Sequence, residues 1–288
     1  MAKFFGMPGN SELADELAVL TGSEAGSVET RRFPDGESYV RIHGDVAEEA
    51  FLVCTLARPD EQFLPLIFAE RAMRASGATN VTLIAPYLSY LRQDREFNAG
   101  EAVSSQIFAD LLSREFDGLM TVDPHLHRYA SLTEIFSIPT HVVPMAEAVG
   151  AWVHENVDSP VVFGPDEESS QWVEKVARRA CCPWAVFTKK RQGDRSVSLT
   201  APDLDQFREC TPVLVDDIIS SGTTMISAAK ILLAGGLKPG FCVCVHSLFN
   251  ESTRTELASL FQEVLTTDTI PNRFSQFQVA PLIAKQLT

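Results

Sequence analysis

The sequence predicts an α/β protein of two similar domains, each a largely parallel sheet flanked by helices. Three observations predict it. The 288 residues are more than one domain of ordinary size contains. Short apolar runs recur along the whole chain, and many close in a polar or glycine-containing turn. Helix-spaced stretches lie between them, the alternation that covers a parallel sheet on both faces.

Taken in order, Phe51–Leu56, Val81–Pro86, Leu119–Asp123, Val161–Gly164, Val213–Asp217 and Phe241–Ser247 read as buried strands. Ser11–Leu20 places Leu13, Leu17 and Leu20 at helical spacing, with Ser11 as its cap. Ser104–Leu112 and Gln171–Ala180 read as helices, and Thr223–Leu233 follows directly on a strand. About five strands precede a pause near Ile138–Ala146, where the pattern restarts. The domains are therefore drawn at 1–143 and 144–288.

A hydrophobic share of 45% and a mean hydropathy of +0.02 supply a buried core. With 38 Asp and Glu against 24 Lys and Arg, the formal charge is −14 and the pI about 4.9. Such a chain lacks the broad basic face of a nucleic-acid binder, though a local basic pocket can still hold a small phosphate. No apolar run reaches the ~18 residues of a membrane helix, so no membrane partner is expected. Met1-Ala2-Lys3-Phe4-Phe5-Gly6 does not read as a signal peptide. The six cysteines are not a disulfide framework at this length. Neither Cys181-Cys182 nor Cys242-x-Cys244 has zinc-finger spacing. A reducing, cytoplasmic setting is expected.

The most informative segment is Val213–Thr224. An apolar strand carries Asp216 and Asp217 at its end. A small turn, Ser220-Ser221-Gly222, leads through Thr223 and Thr224 into a helix near Met225. Ligands of open α/β sheets bind at the carboxyl ends of strands. Small residues at a helix start bring backbone N–H groups to a phosphate, and the helix dipole favours the anion. The two carboxylates suit sugar hydroxyls or a magnesium ion. The bland reading is a capped strand–turn–helix. No Gly-Lys-Ser/Thr follows, which excludes a Walker-type kinase loop.

This segment resembles the phosphoribosyl-diphosphate loop of the phosphoribosyltransferase fold. Further segments resemble one family within it, the ribose-phosphate diphosphokinases. They are Arg32-Phe33-Pro34-Asp35-Gly36-Glu37, Arg92-Gln93-Asp94-Arg95, Asp123-Pro124-His125, Gly164-Pro165-Asp166 and Thr188-Lys189-Lys190-Arg191. Thr267–Pro271 and Val279–Leu282 resemble the family's last strands. The resemblance implies two phosphoribosyltransferase-like domains and transfer of a diphosphoryl group from ATP to the C1 hydroxyl of ribose 5-phosphate. It implies Lys189 and Arg191 as catalytic cations on a mobile loop spanning Lys190 to Ser196. It implies Phe33, Asp35, Glu37, Arg92, Gln93, Asp94 and His125 at ATP, the first three serving a neighbouring subunit of a homo-oligomer. Asp216, Asp217 and Ser220, Ser221, Gly222, Thr223, Thr224 would hold ribose 5-phosphate. His125 and Asp166 would hold Mg2+.

The loop departs from the family pattern. Ser220 stands at an acid position and Thr223 at a glycine, and Glu167-Glu168-Ser169-Ser170 replaces a small, glycine-rich run. The competing readings are a phosphoribosyltransferase that consumes phosphoribosyl diphosphate and a non-catalytic regulatory homologue. The intact Phe33–Glu37 and Arg92–Arg95 segments speak against the first, and Lys189 with the acids against the second.

Overall fold

The computed structural model describes residues 2–192 and 196–287, with the backbone alone for 190–192 and 196–198. Two compact units emerge. One comprises Met1–Val143, Thr269–Pro271 and Gln278–Thr288, the other Pro144–Asp268 and Asn272–Phe277.

The first unit runs β1 (Lys3–Gly6), α1 (Ser11–Thr21), β2 (Glu24–Arg32), β3 (Ser38–His43), β4 (Glu49–Val53) and α2 (Pro59–Ala75). It continues through β5 (Asn80–Ala85), α3 (Ser104–Glu115), β6 (Gly118–Val122) and β7 (Thr140–Val143). Its seven strands are ordered β3-β2-β1-β4-β5-β6-β7. Leu52, Leu83 and Leu119 of the central strands are fully buried. The β2–β3 pair is antiparallel, the one departure from parallel pairing in this sheet. Charged and hydroxyl-bearing residues dominate β2, and only Val28 of it is buried, so apolar-run logic missed it. The pause near Ile138–Ala146 contains β7, a four-residue edge strand with exposed His141 and Val142.

The second unit runs α4 (Ala146–Asn156), β8 (Pro160–Gly164), α5 (Ser170–Ala180), β9 (Trp184–Val186), β10 (Thr188–Gln192) and β11 (Ser196–Thr200). There follow β12 (Thr211–Ile219), α6 (Thr223–Ala234), β13 (Phe241–Ser247), α7 (Glu251–Leu260), β14 (Glu263–Thr267) and β15 (Ser275–Phe277). Six strands form a parallel sheet ordered β15-β14-β13-β12-β8-β9. The hairpin β10–β11 stands apart as a two-stranded antiparallel sheet.

Three expectations are corrected. The end of the chain does not stay with residues 144–268. It forms α8 (Ala280–Leu287), which buries Ala280, Ile283 and Ala284 and packs on α1 of the first unit. Val279–Leu282 thus opens a helix instead of a strand. Ser11 does not cap α1. The cap position is Asn10, whose side chain is spent on Thr55: Nδ2 donates to Thr55 Oγ1 at 3.0 Å and Oδ1 accepts from Thr55 N at 2.9 Å. Thr55 Oγ1 in turn donates to the Thr269 carbonyl at 2.8 Å, holding the returning segment.

A charge network around one buried acid closes the far end of the first sheet. Glu70 is fully buried on α2 and accepts from Arg74, which also donates to Asp117 at 2.8 Å and to the Glu115 carbonyl at 3.0 Å. Asp117 accepts from Val81 N at 2.7 Å, anchoring the start of β5. Burial raises the Glu70 carboxyl above its ordinary range, against the lowering pull of Arg74 and Arg71. Arg74→Ala should cost on the order of 3 kcal/mol, read as a lowered Tm, because it strands a buried charge. An acid raised on folding contributes stability that is complete below its unfolded pKa, about 4.3, and declines as pH climbs through the folded value. Chemical unfolding of wild type and Glu70→Gln at several pH values should show the difference moving in favour of Gln as pH rises.

Candidate active site

In the second unit the site grows from the length of one strand. β8 pairs with β12 only along Thr211–Leu214, whereas β13 accompanies β12 to Ile219. Asp216 and Asp217 therefore lie where β8 no longer flanks β12. They fall within the strand, since Ile218 and Ile219 extend it. Both are half-buried. Asp217 N donates to Asp216 Oδ1 at 3.1 Å, and Ile218 N to Asp217 Oδ1 at 2.8 Å. Burial, then the charge of Asp217, then that of Asp166, push the Asp216 carboxyl well above the ordinary carboxylate range.

Asp166 follows the end of β8. Its Oδ1 accepts from the amides of Glu168 and Ser169 at 3.1 and 3.2 Å, capping a short 3-10 turn. Its Oδ2 meets Lys189 Nζ at 2.5 Å. Lys189 lies on β10, paired across the hairpin with Leu199. The segment expected as a mobile loop is thus largely a hairpin, with Arg191 opposite Val197. Alternating hydroxyl-bearing and aliphatic residues in β11 suit a strand. Residues 193–195 and the Arg191 side chain lie outside the described residues. Glu167 and Glu168 are exposed on the turn after Asp166.

The phosphate loop follows β12. Ser220, Ser221 and Thr223 are exposed, Thr224 is half-buried and Gly222 is buried. The helix begins at Thr223, where the Thr223–Leu233 reading starts it. Ser221 Oγ and Thr223 Oγ1 lie 3.1 Å apart. Gly222 has φ +75°, a conformation that glycine adopts without a Cβ penalty. A Cβ there would lie 2.4 Å from the Thr253 methyl. Thr253 Oγ1 donates to the Ser221 carbonyl at 3.3 Å, so α7 clamps the loop. Sequence reasoning missed Thr253. The available signal was Asn250, which caps α7 by accepting from Thr253 N at 3.0 Å.

In the first unit, Phe33–Glu37 is the tip of the β2–β3 hairpin. Phe33 N donates to the Glu37 carbonyl at 2.8 Å, and Gly36 N to the Phe33 carbonyl at 2.9 Å, with Gly36 at φ +93°. Asp35 Oδ1 accepts from Glu37 N at 3.2 Å. Phe33, Asp35 and Glu37 are all exposed, so Phe33 is not a core residue. Arg31 packs its guanidinium 4.6 Å from the Phe33 ring and 4.1 Å from the Tyr39 ring, which stiffens the tip.

Arg92 is exposed and Gln93 half-buried on the long connection from β5 to α3. Asp94, expected at ATP, lies on the same connection. It is 7% exposed, and its carboxylate takes Arg128 Nη1 at 2.6 Å. His125 follows β6, with the His127 ring edge-on at 3.8 Å. Asp123, two residues before it, has φ +31°, a sharp turn for a non-glycine residue.

Comparison with known proteins joins the two halves. Residues 2–115 match the profile of the N-terminal domain of ribose phosphate pyrophosphokinase, and residues 140–280 that of the phosphoribosyl transferase domain. A ribose-phosphate pyrophosphokinase of Methanopyrus kandleri is 36% identical over 278 residues, covering 95% of this chain and 94% of that one. The chain belongs to the ribose-phosphate pyrophosphokinase family. A second such pyrophosphokinase, from Archaeoglobus fulgidus, is 33% identical over 287 residues, 99% of this chain and all of that one. The crystal structure of a phosphoribosylpyrophosphate synthetase from Mycobacterium smegmatis superposes with a TM-score of 0.87 at 25% identity, covering 99% of this chain and 97% of that one. Both units have the phosphoribosyltransferase-like α/β architecture of this pyrophosphokinase family.

Gly222→Ala should cost about 1–2 kcal/mol from its left-handed φ alone, plus the clash with Thr253. Adding Thr253→Ser removes the methyl and should recover the clash term while leaving the φ term. Equilibrium unfolding of the single and double variants checks this, and equal stability of Gly222→Ala and wild type would sink it.

Proposed function

We propose that this chain transfers the diphosphoryl group of ATP to ribose 5-phosphate, giving 5-phosphoribosyl 1-diphosphate and AMP. One observation carries the reading: Asp216, Asp217, Asp166 and Lys189 gather at the strand ends of a chain matched end to end by ribose-phosphate pyrophosphokinases. The C1 hydroxyl oxygen attacks the β-phosphorus. The bond from that phosphorus to the oxygen bridging the α-phosphorus breaks, AMP departs with that oxygen, and the hydroxyl proton passes to solvent. Such chemistry rests on positioning and charge neutralisation.

Asp216 and Asp217 would take the ribose hydroxyls. A carboxyl pair in which one member holds its proton tightly can donate as well as accept. The loop Ser220–Thr224 would cradle the 5-phosphate with its hydroxyls and the N-terminal N–H groups of α6. Lys189, paired with Asp166 in this structure, would give its ammonium to the diphosphoryl oxygens, with Arg191 as the second cation of the hairpin. Arg92, Gln93 and His125 would hold ATP.

The donor set fits magnesium. That ion takes hard oxygen ligands, keeps several waters and uses one or two carboxylates beside substrate phosphates. Asp166 offers a carboxylate locked through Oδ1 by two amides. Asp166 would hold the ion and His125 would touch the magnesium–ATP unit; the ion, when bound, would neutralise the diphosphoryl oxygens.

The exposed hairpin tip carrying Phe33, Asp35 and Glu37 would complete the ATP site of a neighbouring copy in a homo-oligomer. All six cysteines are free, which suits a reducing cytoplasm. No helix among the described residues is long and apolar enough to cross a membrane.

Incubation with ATP, magnesium and ribose 5-phosphate should release AMP and phosphoribosyl diphosphate in equal amounts, and excess EDTA should stop both. Lys189→Ala should lower kcat by roughly 10²-fold or more with little change in KM, as for a contact made mainly in the transition state. Wild-type kcat in that variant removes Lys189 from the mechanism.

The shared site has its own test. Asp35→Ala with Glu37→Ala in one chain, and Lys189→Ala in another, should each be nearly inactive. Mixed oligomers purified after co-expression should regain activity, because some sites combine an intact tip with an intact Lys189. Mixed oligomers no more active than either parent would place the tip in its own subunit's site.

A further inference from the structure

Residues 86–103, which carry Arg92 and Gln93, form no helix or strand. A connection of that length needs tertiary anchors if it is to present ligand contacts at fixed positions. Buried Tyr87, Leu88 and Leu91 hold its first part. Ser105 N donates to the Gln93 carbonyl at 3.2 Å, fixing one side of the middle.

The other side is held from the connection after β6. Asp94 turns its carboxylate inward, where Arg128 Nη1 meets Oδ1 at 2.6 Å. The Arg128 guanidinium also lies 5.6 Å from the Phe97 ring of the same connection. Tyr129 OH donates to the Asp94 carbonyl at 3.1 Å, lies 3.2 Å from Ser105 Oγ and accepts from Gln106 Nε2 at 3.3 Å. One hydroxyl thus touches the connection and the start of α3 together. Arg128 and Tyr129 stand three and four residues after His125.

We propose that Arg128 and Tyr129 are positioning residues for ATP. They tie the segment bearing Arg92 and Gln93 to the segment bearing His125, so that these groups form one preorganised surface. The proposal rests on the assignment of those three residues to ATP. Without Arg128, the inward Asp94 carboxylate loses its cation and must hydrate or swing outward, which displaces its neighbour Gln93. Ordering the segment anew on each binding event then weakens affinity for ATP while leaving ribose 5-phosphate untouched.

The test measures kcat and KM for ATP and ribose 5-phosphate separately, with Tm alongside, for Arg128→Met, Arg128→Lys and Tyr129→Phe. Arg128→Met should raise KM for ATP about ten-fold or more and leave KM for ribose 5-phosphate within about two-fold. Arg128→Lys should recover part of the loss, and Tyr129→Phe should raise KM for ATP several-fold. If Arg128→Met does not fold, the other two variants decide. Wild-type KM for ATP in both Arg128→Lys and Tyr129→Phe overturns the proposal. So does a parallel rise of both KM values together with a fall in Tm, since a merely structural brace acts on both substrates alike. If the wild-type chain releases no AMP and shows no affinity for ATP, the ATP assignment itself falls, an outcome distinct from these.

Discussion

Like charges crowded at the ends of parallel strands constrain the second unit more than any other interaction. Burial first, and then repulsion from Asp217 and Asp166, hold the Asp216 proton well above the usual carboxylate range. The Lys189 ammonium relieves Asp166, and two backbone amides hold that carboxylate in place. A hydrophobic strand end would be more stable here. Charge is retained because sugar hydroxyls, a hard cation and phosphoryl oxygens need groups of this kind fixed before they arrive.

The fold supplies that fixity through strand length. β12 outruns β8, and the uncovered stretch is where the acids lie. Its paired flank, β13, leads into α7, and the first turn of α7 clamps the phosphate loop through Thr253. Gly222 answers two demands at once, a left-handed φ and the room taken by the Thr253 methyl. Thr223 at a position where the family has glycine is tolerated because it is already the first helical residue, where φ is negative.

In the first unit the same problem is solved with turns and braces. The Phe33–Glu37 tip is a closed hairpin turn stiffened by Arg31 stacking, which limits the entropy lost when it meets a ligand. The connection after β5 has no regular structure to rely on, so buried Tyr87, Leu88 and Leu91 and the Arg128–Asp94 pair hold it in place. The network of buried Glu70 with Arg74 and Asp117 closes the opposite end of the sheet.

The sequence by itself determined the alternation of strands and helices, the acid pair and the order of the recognisable segments. Apolar runs such as Val213-Leu214-Val215 can only be buried, and small residues after a strand have few other uses. Elements whose burial comes from partners remained hidden. β2 and β3 read as polar because one face meets solvent, and β7 because it is an edge. Val279–Leu282 resembled a strand but forms α8, whose apolar face is covered by α1. The partner of Asp94 was hidden too: its carboxylate turns inward because Arg128, thirty-four residues later, comes to meet it. Local pattern decides what a segment can bury; which side chain meets which is decided only when distant segments pack.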